Sequence, residues 1–204
     1  VFGRFRAPNS IVGCGIEMAP EAEWSGVKAK YELPDEYVLY LGRVSKAKVD
    51  KLLPYFLRCK AKYGGDAKLV LVGGFENEIR KFDSPDILFT GYVSDEEKTA
   101  IVRHATVMVN PSPMESLSLL MLEGMQSRIP LLVNGRSKVM KDHCRLSGAG
   151  LWYNNGRDFR KKLHRLLSDP ELRRTMSEKG PAYVREHYDW EIIIPKLRTL
   201  IESI

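Results

Sequence analysis

NPSPMESLSLLMLEGMQSRIPLLVNG, residues Asn110–Gly135, decides the fold by the order of its turn formers and apolar runs. Thr106–Val109 (TVMV) precedes it, a short β-branched run that reads as a strand. Asn110, Pro111, Ser112 and Pro113 then stop that strand, because all four favour turns. Leu119, Leu120, Leu122 and Met125, with Met121 beside them, make a helical apolar cluster, and Ser116 or Ser118 stands where a helix cap belongs. Pro130–Val133 (PLLV) reads as a second buried strand. The unit is strand, polar turn, helix, strand.

Two carboxylates bracket the helix start, Glu115 in the turn and Glu123 in the helix, with seven residues between them. Glu123 lies five residues beyond Ser118, about 7.5 Å along a helical axis. That is too far for two carboxylates to share a proton or a cation. The layout suits a long ligand lying along the helix N-terminus. Amides near Ser118–Leu120 would face a phosphate, and each carboxylate would accept from hydroxyls at one end. A nucleotide sugar has that shape. An ordinary capped helix with one turn Glu and one exposed Glu satisfies the same spacing.

Outward from this unit, further apolar strands alternate with helices. Tyr37–Leu41 (YVLYL), Leu69–Gly73 (LVLVG), Ile87–Phe89 and Gly150–Tyr153 read as strands, which brings the total to six. An apolar stripe through Val49, Leu52, Leu53, Phe56 and Tyr63 predicts one helix, with Pro54 in its first turn or at a kink. Ser94–Arg103 opens with a capping-box signature. Arg157–Leu167, Pro170–Glu186 and Asp189–Ile204 read as closing helices, and Glu21–Asp35 as a connector with room for a short one. Continuous apolar strands between helices predict an α/β fold, a parallel sheet covered on both faces. Ligands of such sheets bind beyond the strands' C-terminal ends, where Arg43, Lys48, Tyr92 and Glu115 all fall.

With 204 residues, 44% of them hydrophobic, the chain supports one domain, or one with an appendage. No apolar run approaches the roughly 20 residues of a membrane span, and no signal peptide is visible. Cys14, Cys59 and Cys144 are odd in number, far apart and without zinc spacing, which predicts reduced thiols in a cytoplasmic protein. The net charge of +6 gathers at Arg157–Arg165 and Arg173–Arg174. Interspersed acids favour a solvated helix face over a nucleic-acid surface. No D-x-D pair and no His/Asp/Glu cluster has metal-ligand spacing. His143–Cys144 lacks a third catalytic group and reads as helix packing, while His104, His164 and His187 read as surface or satisfied helix residues.

PSPMESLSLLMLEGM followed by IPLLVNG resembles the E-x7-E segment of retaining GT-B glycosyltransferases, the large family that includes sucrose synthases and mannosyltransferases. GRVSKAK (42–48) resembles that family's phosphate loop, LVLVGG (69–74) its second strand and ILFTGYVSDEE (87–97) its base-flanking segment. LLSDPELRRTMSEKGPAYVREHYDWE resembles its closing helices. The likeness implies a Rossmann-like six-stranded domain, the donor-binding C-terminal half of a GT-B fold. Residues 37–187 would form it, 1–36 would be linker and remnant of an N-terminal acceptor domain, and 188–204 a crossover helix. The stretch NSIVGCGIEM within Val1–Pro20 would be that other half's last strand.

By the same resemblance Arg43 and Lys48 clamp the donor's diphosphate, and Glu115 binds the transferred sugar's hydroxyls. Amides of Ser116, Leu117, Ser118 and Leu119 flank sugar and phosphates, Glu123 takes the ribose diol, and Tyr92 and Val93 lie beside the base. Two departures stand out: Val49 replaces the usual glycine after Lys48, leaving Lys46 able to substitute, and serines replace a glycine-rich turn. The implied reaction is metal-independent sugar transfer with retention, from a nucleoside diphosphate to an acceptor hydroxyl, without any cofactor beyond the donor substrate. Polysaccharide or glycolipid biosynthesis, in the cytoplasm or in peripheral association with the membrane's inner face, is the implied setting. A non-catalytic nucleotide-binding domain and a GT-B sugar-nucleotide epimerase are the alternatives. Without an acceptor domain, the 204-residue chain is expected to bind nucleotide weakly and transfer essentially no sugar.

Overall fold

A computed structural model describes residues 13–75 and 84–202. Its centre is one sheet of β1 (Tyr37–Leu41), β2 (Lys68–Val72), β3 (Ile87–Gly91), β4 (Val107–Asn110), β5 (Leu131–Asn134) and β6 (Gly150–Tyr153). The strands are all parallel and run in the order β3-β2-β1-β4-β5-β6. Every residue of β1 is buried, which is why these strands read as unbroken apolar runs and not as alternating ones.

Successive side chains feed opposite cores. Tyr37, Leu39, Leu41, Val70, Val72 and Met108 face one layer, made by α1 (Trp24–Tyr31), α4 (Asp95–Arg103), α5 (Leu119–Gln126), α6 (Lys138–Ser147) and part of α8 (Pro170–Tyr188). Val38, Tyr40, Leu69, Leu71, Val107 and Val109 face the other, made by α2 (Lys46–Val49), α3 (Leu52–Tyr63) and α7 (Gly156–Ser168). Leu71 is fully buried, so truncating it to Ala should cost about 2–5 kcal/mol.

Two expectations change, and two left open are decided. The stripe from Val49 to Tyr63 is two helices, interrupted at Asp50 and Lys51. Pro54 sits in the first turn of α3, where a missing N–H costs no helical bond. No strand occurs in Gly13–Pro20, and the rest of that expected strand lies outside the described residues. The Ile16 amide instead donates to the Tyr188 carbonyl at 3.0 Å, so this stretch runs against the end of α8. The short helix allowed for in the connector is α1, its first amides accepted by the Glu23 carboxylate. It is tied to α4 by Trp24 stacked on His104 at 3.9 Å, and Glu21 beside it pairs with Arg103 at 2.7 Å.

The chain closes on α9 (Trp190–Glu202), with Asp189 capping the Glu191 amide at 2.9 Å. Ile193 is buried, whereas Trp190, Ile192, Ile194, Leu197 and Ile201 are exposed. Ile204, also read as part of this stripe, lies outside the described residues. No described helix is long and apolar enough to cross a membrane.

Candidate functional site

The sheet order reverses direction between β1 and β4, and the loops leaving those two strands diverge there to opposite faces. Such a switch point opens a crevice at the strands' C-terminal ends. Here the crevice is about 490 Å³ in volume, with Arg43 and Lys48 on one wall and Glu115 to Leu119 on the other.

Several contacts hold the first wall. The Gly42 amide donates to the Val72 carbonyl at 3.0 Å and the Val44 amide to Gly74 at 2.9 Å, lashing the loop after β1 to the end of β2. Gly73 permits this approach: its φ is +129°, and an added Cβ would lie 2.2 Å from the Gly42 carbonyl oxygen. The Tyr40 hydroxyl donates to the Arg43 carbonyl at 2.9 Å. Burial, and then the charge of Glu115, push the Tyr40 pKa up to about 12, so it remains a neutral donor at neutral pH.

The second wall is built by Asn110. Its side-chain carbonyl accepts from the Ser112 amide at 3.0 Å, and its amide nitrogen donates to Ser118 Oγ at 3.1 Å. Ser118 occupies the N-cap position of α5 with φ +65°, and its hydroxyl makes no cap bond. Ser116 does not cap the helix either, which corrects the sequence expectation. The reason is Asn110: it holds the Ser118 hydroxyl in a left-handed turn. Among the described residues nothing accepts from the Leu119 and Leu120 amides. The N-terminus of α5 is therefore left open, with its positive dipole end toward the crevice.

Lys48 Nζ approaches Glu115 Oε1 at 3.9 Å across the opening, both side chains partly exposed. Arg43, Lys48, Glu115, Ser116, Leu117, Ser118 and Leu119 thus line one cleft. Glu123 does not line it. It lies farther along α5, with its side chain 13% exposed and 3.4 Å from Lys98 Nζ, and its Oε2 is buried without a hydrogen-bond partner. Tyr92 is 86% exposed, standing over Gly74, where an added Cβ would lie 2.5 Å from its hydroxyl. Val93 is half-buried against the first core. These two follow β3 and stand outside the cleft.

Residue types alone did not single out four participants. Asn110 was legible only as a turn former. Tyr40 looked like any strand aromatic, and Lys98 like a helix-face cation. Cys14 reaches the cleft from a distant part of the chain. Among the described residues no group of three or more His, Cys, Asp or Glu could hold a metal ion. His143 is a buried helix residue whose Nδ1 is 2.8 Å from the Tyr183 hydroxyl.

A doubly wound sheet with a cationic loop facing an open helix tip at its switch point defines a Rossmann-like α/β domain suited to anionic ligands. The chain belongs to the family of glycosyl transferases group 1, whose profile matches residues 26–183. It is 30% identical over 174 residues to the alpha-D-kanosaminyltransferase of Streptomyces kanamyceticus, covering 78% of this chain and 44% of that protein. It is 28% identical over 169 residues to the sulfoquinovosyl transferase of Arabidopsis thaliana, covering 79% and 32%. The chain spans between 32% and 48% of the length of five curated relatives it matches.

Among solved structures, the sucrose-phosphate synthase of Thermosynechococcus elongatus superimposes with a TM-score of 0.74 at 22% identity, over 94% of this chain and 51% of that one. HepE of Anabaena, solved with UDP and glucose, superimposes with a TM-score of 0.71 at 13% identity, over 88% and 52%. The fold is the Rossmann-like α/β fold of about half of each of these GT-B glycosyltransferase chains.

Proposed function

We propose that this chain is the donor-binding domain of a retaining glycosyltransferase, which moves a sugar from a nucleoside diphosphate to an acceptor hydroxyl. One observation carries the reading: Arg43 and Lys48 share a cleft with Glu115 and with an α5 N-terminus whose first amides have no acceptor. Family membership and the UDP in the Anabaena neighbour support a nucleotide-sugar ligand.

In this reading the donor's diphosphate lies between the Arg43–Lys48 loop and the tip of α5. As the bond from the sugar's anomeric carbon to the phosphate oxygen breaks, negative charge grows on the diphosphate. The guanidinium, the ammonium and the open amides stabilise it. Glu115 accepts from hydroxyls of the transferred sugar, and Glu123 from the ribose diol, its Oε2 gaining hydrogen bonds in addition to the nearby Lys98 ammonium. Tyr92 and Val93 flank the base. The acceptor hydroxyl attacks the face the diphosphate leaves, and its proton passes to the departing phosphate oxygen, which preserves the anomeric configuration. No step calls on a metal ion or a further cofactor.

An acceptor domain N-terminal to this one completes the site, contacting the exposed apolar residues of α9. Residues 1–36 and 188–204 connect the two halves. Synthesis of polysaccharide or glycolipid, in the cytoplasm or at the membrane's inner face, is the setting we propose.

Calorimetric titration of the chain with UDP, GDP and ADP, repeated on Glu123→Ala, tests the reading. One nucleoside diphosphate should bind, and the substitution should weaken it about tenfold or more. Unchanged affinity would remove Glu123 from the site. Rapid sugar transfer by the 204-residue chain alone would remove the need for a second domain.

A further inference from the structure

A second cleft, about 560 Å³ in volume, opens beside the first at the ends of β4, β5 and β6. Lys48 and Pro111 form the rim between the two. Lys46, Lys51 and Arg136 join Lys48 around this cleft, against the single carboxylate of Asp50. Lys46 and Lys48 come from α2, Lys51 from the turn after it, and Arg136 from the loop after β5, so tertiary structure alone collects them. Neither Lys51 nor Arg136 forms an ion pair with another described residue. Like charges held around a concavity concentrate a positive potential there, which only an anion relieves.

The uncharged lining narrows the ligand. Tyr55 and Asn154 give the cleft wall a ring and a side-chain amide, the kind of pairing that takes a hydroxylated body. Gly156 lets that wall close up, because a Cβ there would lie 2.6 Å from the Tyr55 ring. The cleft is larger than the neighbouring one and too roomy for a bare anion.

We infer that this second cleft binds a phosphate monoester carried on a sugar-sized molecule, alongside the nucleotide and not in its place. A monoester brings about −1.5 to −2 charges and three acceptor oxygens, which suits a guanidinium and several ammonium groups better than a single carboxylate would. Lys48 borders both clefts, so a phosphate drawing its ammonium away from Glu115 would change the first cleft's charge and couple the two sites.

The test is calorimetric titration of the chain with glucose 6-phosphate, with glucose as the uncharged control, and with UDP as a separate arm. Glucose 6-phosphate should bind and glucose should not, with affinity falling as salt is raised. The Lys51→Ala/Arg136→Ala double variant should weaken glucose 6-phosphate about tenfold or more and leave UDP unchanged. Both residues are exposed, so the fold should survive, and Arg136→Lys alone should retain most of the binding. Equal binding by the double variant would overturn the assignment, as would competition between glucose 6-phosphate and UDP for one site. Binding only to phosphatidic acid in phosphatidylcholine vesicles would overturn the soluble sugar phosphate and give the cleft to a lipid phosphate. Because UDP is titrated separately, its failure to bind would count against the donor cleft alone.

Discussion

Lys98 Nζ lies 3.4 Å from both carboxylate oxygens of Glu123, reaching from α4 to α5. Its other carboxylate neighbour is the exposed Asp95 at 3.3 Å. The pair is largely withdrawn from water, with side chains 23% and 13% exposed, so losing one partner leaves a poorly solvated charge behind. Lys98→Met should therefore destabilise the chain by about 1–2 kcal/mol, less than for a wholly buried pair. Adding Glu123→Gln should recover much of that loss. Denaturant unfolding of the four members of the double-mutant cycle measures the coupling, and strict additivity would mean the contact contributes nothing.

Arg43 and Lys48 should differ in what they tolerate. A guanidinium offers two parallel donors to a diphosphate, whereas an ammonium is a point charge. Arg43→Lys should weaken UDP binding about threefold to tenfold and Arg43→Ala about tenfold to a hundredfold. If Arg43→Lys binds UDP as the parent does, charge alone is sufficient at that position.

Gly180 packs α8 onto the end of α5: an added Cβ would stand 2.5 Å from the Met125 carbonyl oxygen. Alanine is the better helix former by about 1 kcal/mol, but overpacking against fixed backbone costs about 1–3 kcal/mol. With a contact this close the clash should win, and Gly180→Ala should lose about 2 kcal/mol in chemical denaturation. A rise in stability would show that α8 can shift freely on α5.

Ser94 and Glu97 form a reciprocal cap at the start of α4. Ser94→Ala should cost about 1 kcal/mol. The bond from Lys30, then that from the Ser94 amide, hold the Glu97 pKa down to about 2. A depressed carboxylate contributes stability above its unfolded value near 4.5, and that contribution is lost as pH falls toward about 2. Glu97→Gln should flatten the thermal midpoint's pH dependence in that window and leave the slope above it unaltered.

His143 is lodged among Tyr183, Tyr188 and His187, and burial pulls its pKa below the usual 6.5. Asp142 opposes the shift and His187 adds to it. The folded protein then holds fewer protons than the unfolded chain below pH 6.5, so stability declines as pH drops through that range. Thermal melts from neutral to mildly acidic pH should show this decline, and His143→Gln should reduce it.

The strands were legible because burial on both faces forces unbroken apolar runs, as in YVLYL and the run ending at Val72. The cap at Ser94 was legible because it is written within four consecutive residues. The break at Asp50 was not, because the stripe from Val49 to Tyr63 keeps helical spacing across it. The missing cap on α5 was not either. Ser118 has the right chemistry, and only the Asn110 amide, eight residues away, decides where its hydroxyl goes.

By itself, then, the sequence determined the six strands, their parallel arrangement, most of the helices and the segments after the strands that carry Arg43, Lys48 and Glu115, because periodicity, turn chemistry and capping are local properties of the chain. Tertiary structure alone decided that those loops meet at the switch point, that Lys98 faces Glu123, and that Lys51 and Arg136 share a second cleft. Such pairings depend on how strands are ordered across the sheet and how closely the helices approach, distances that no stretch of consecutive residues encodes.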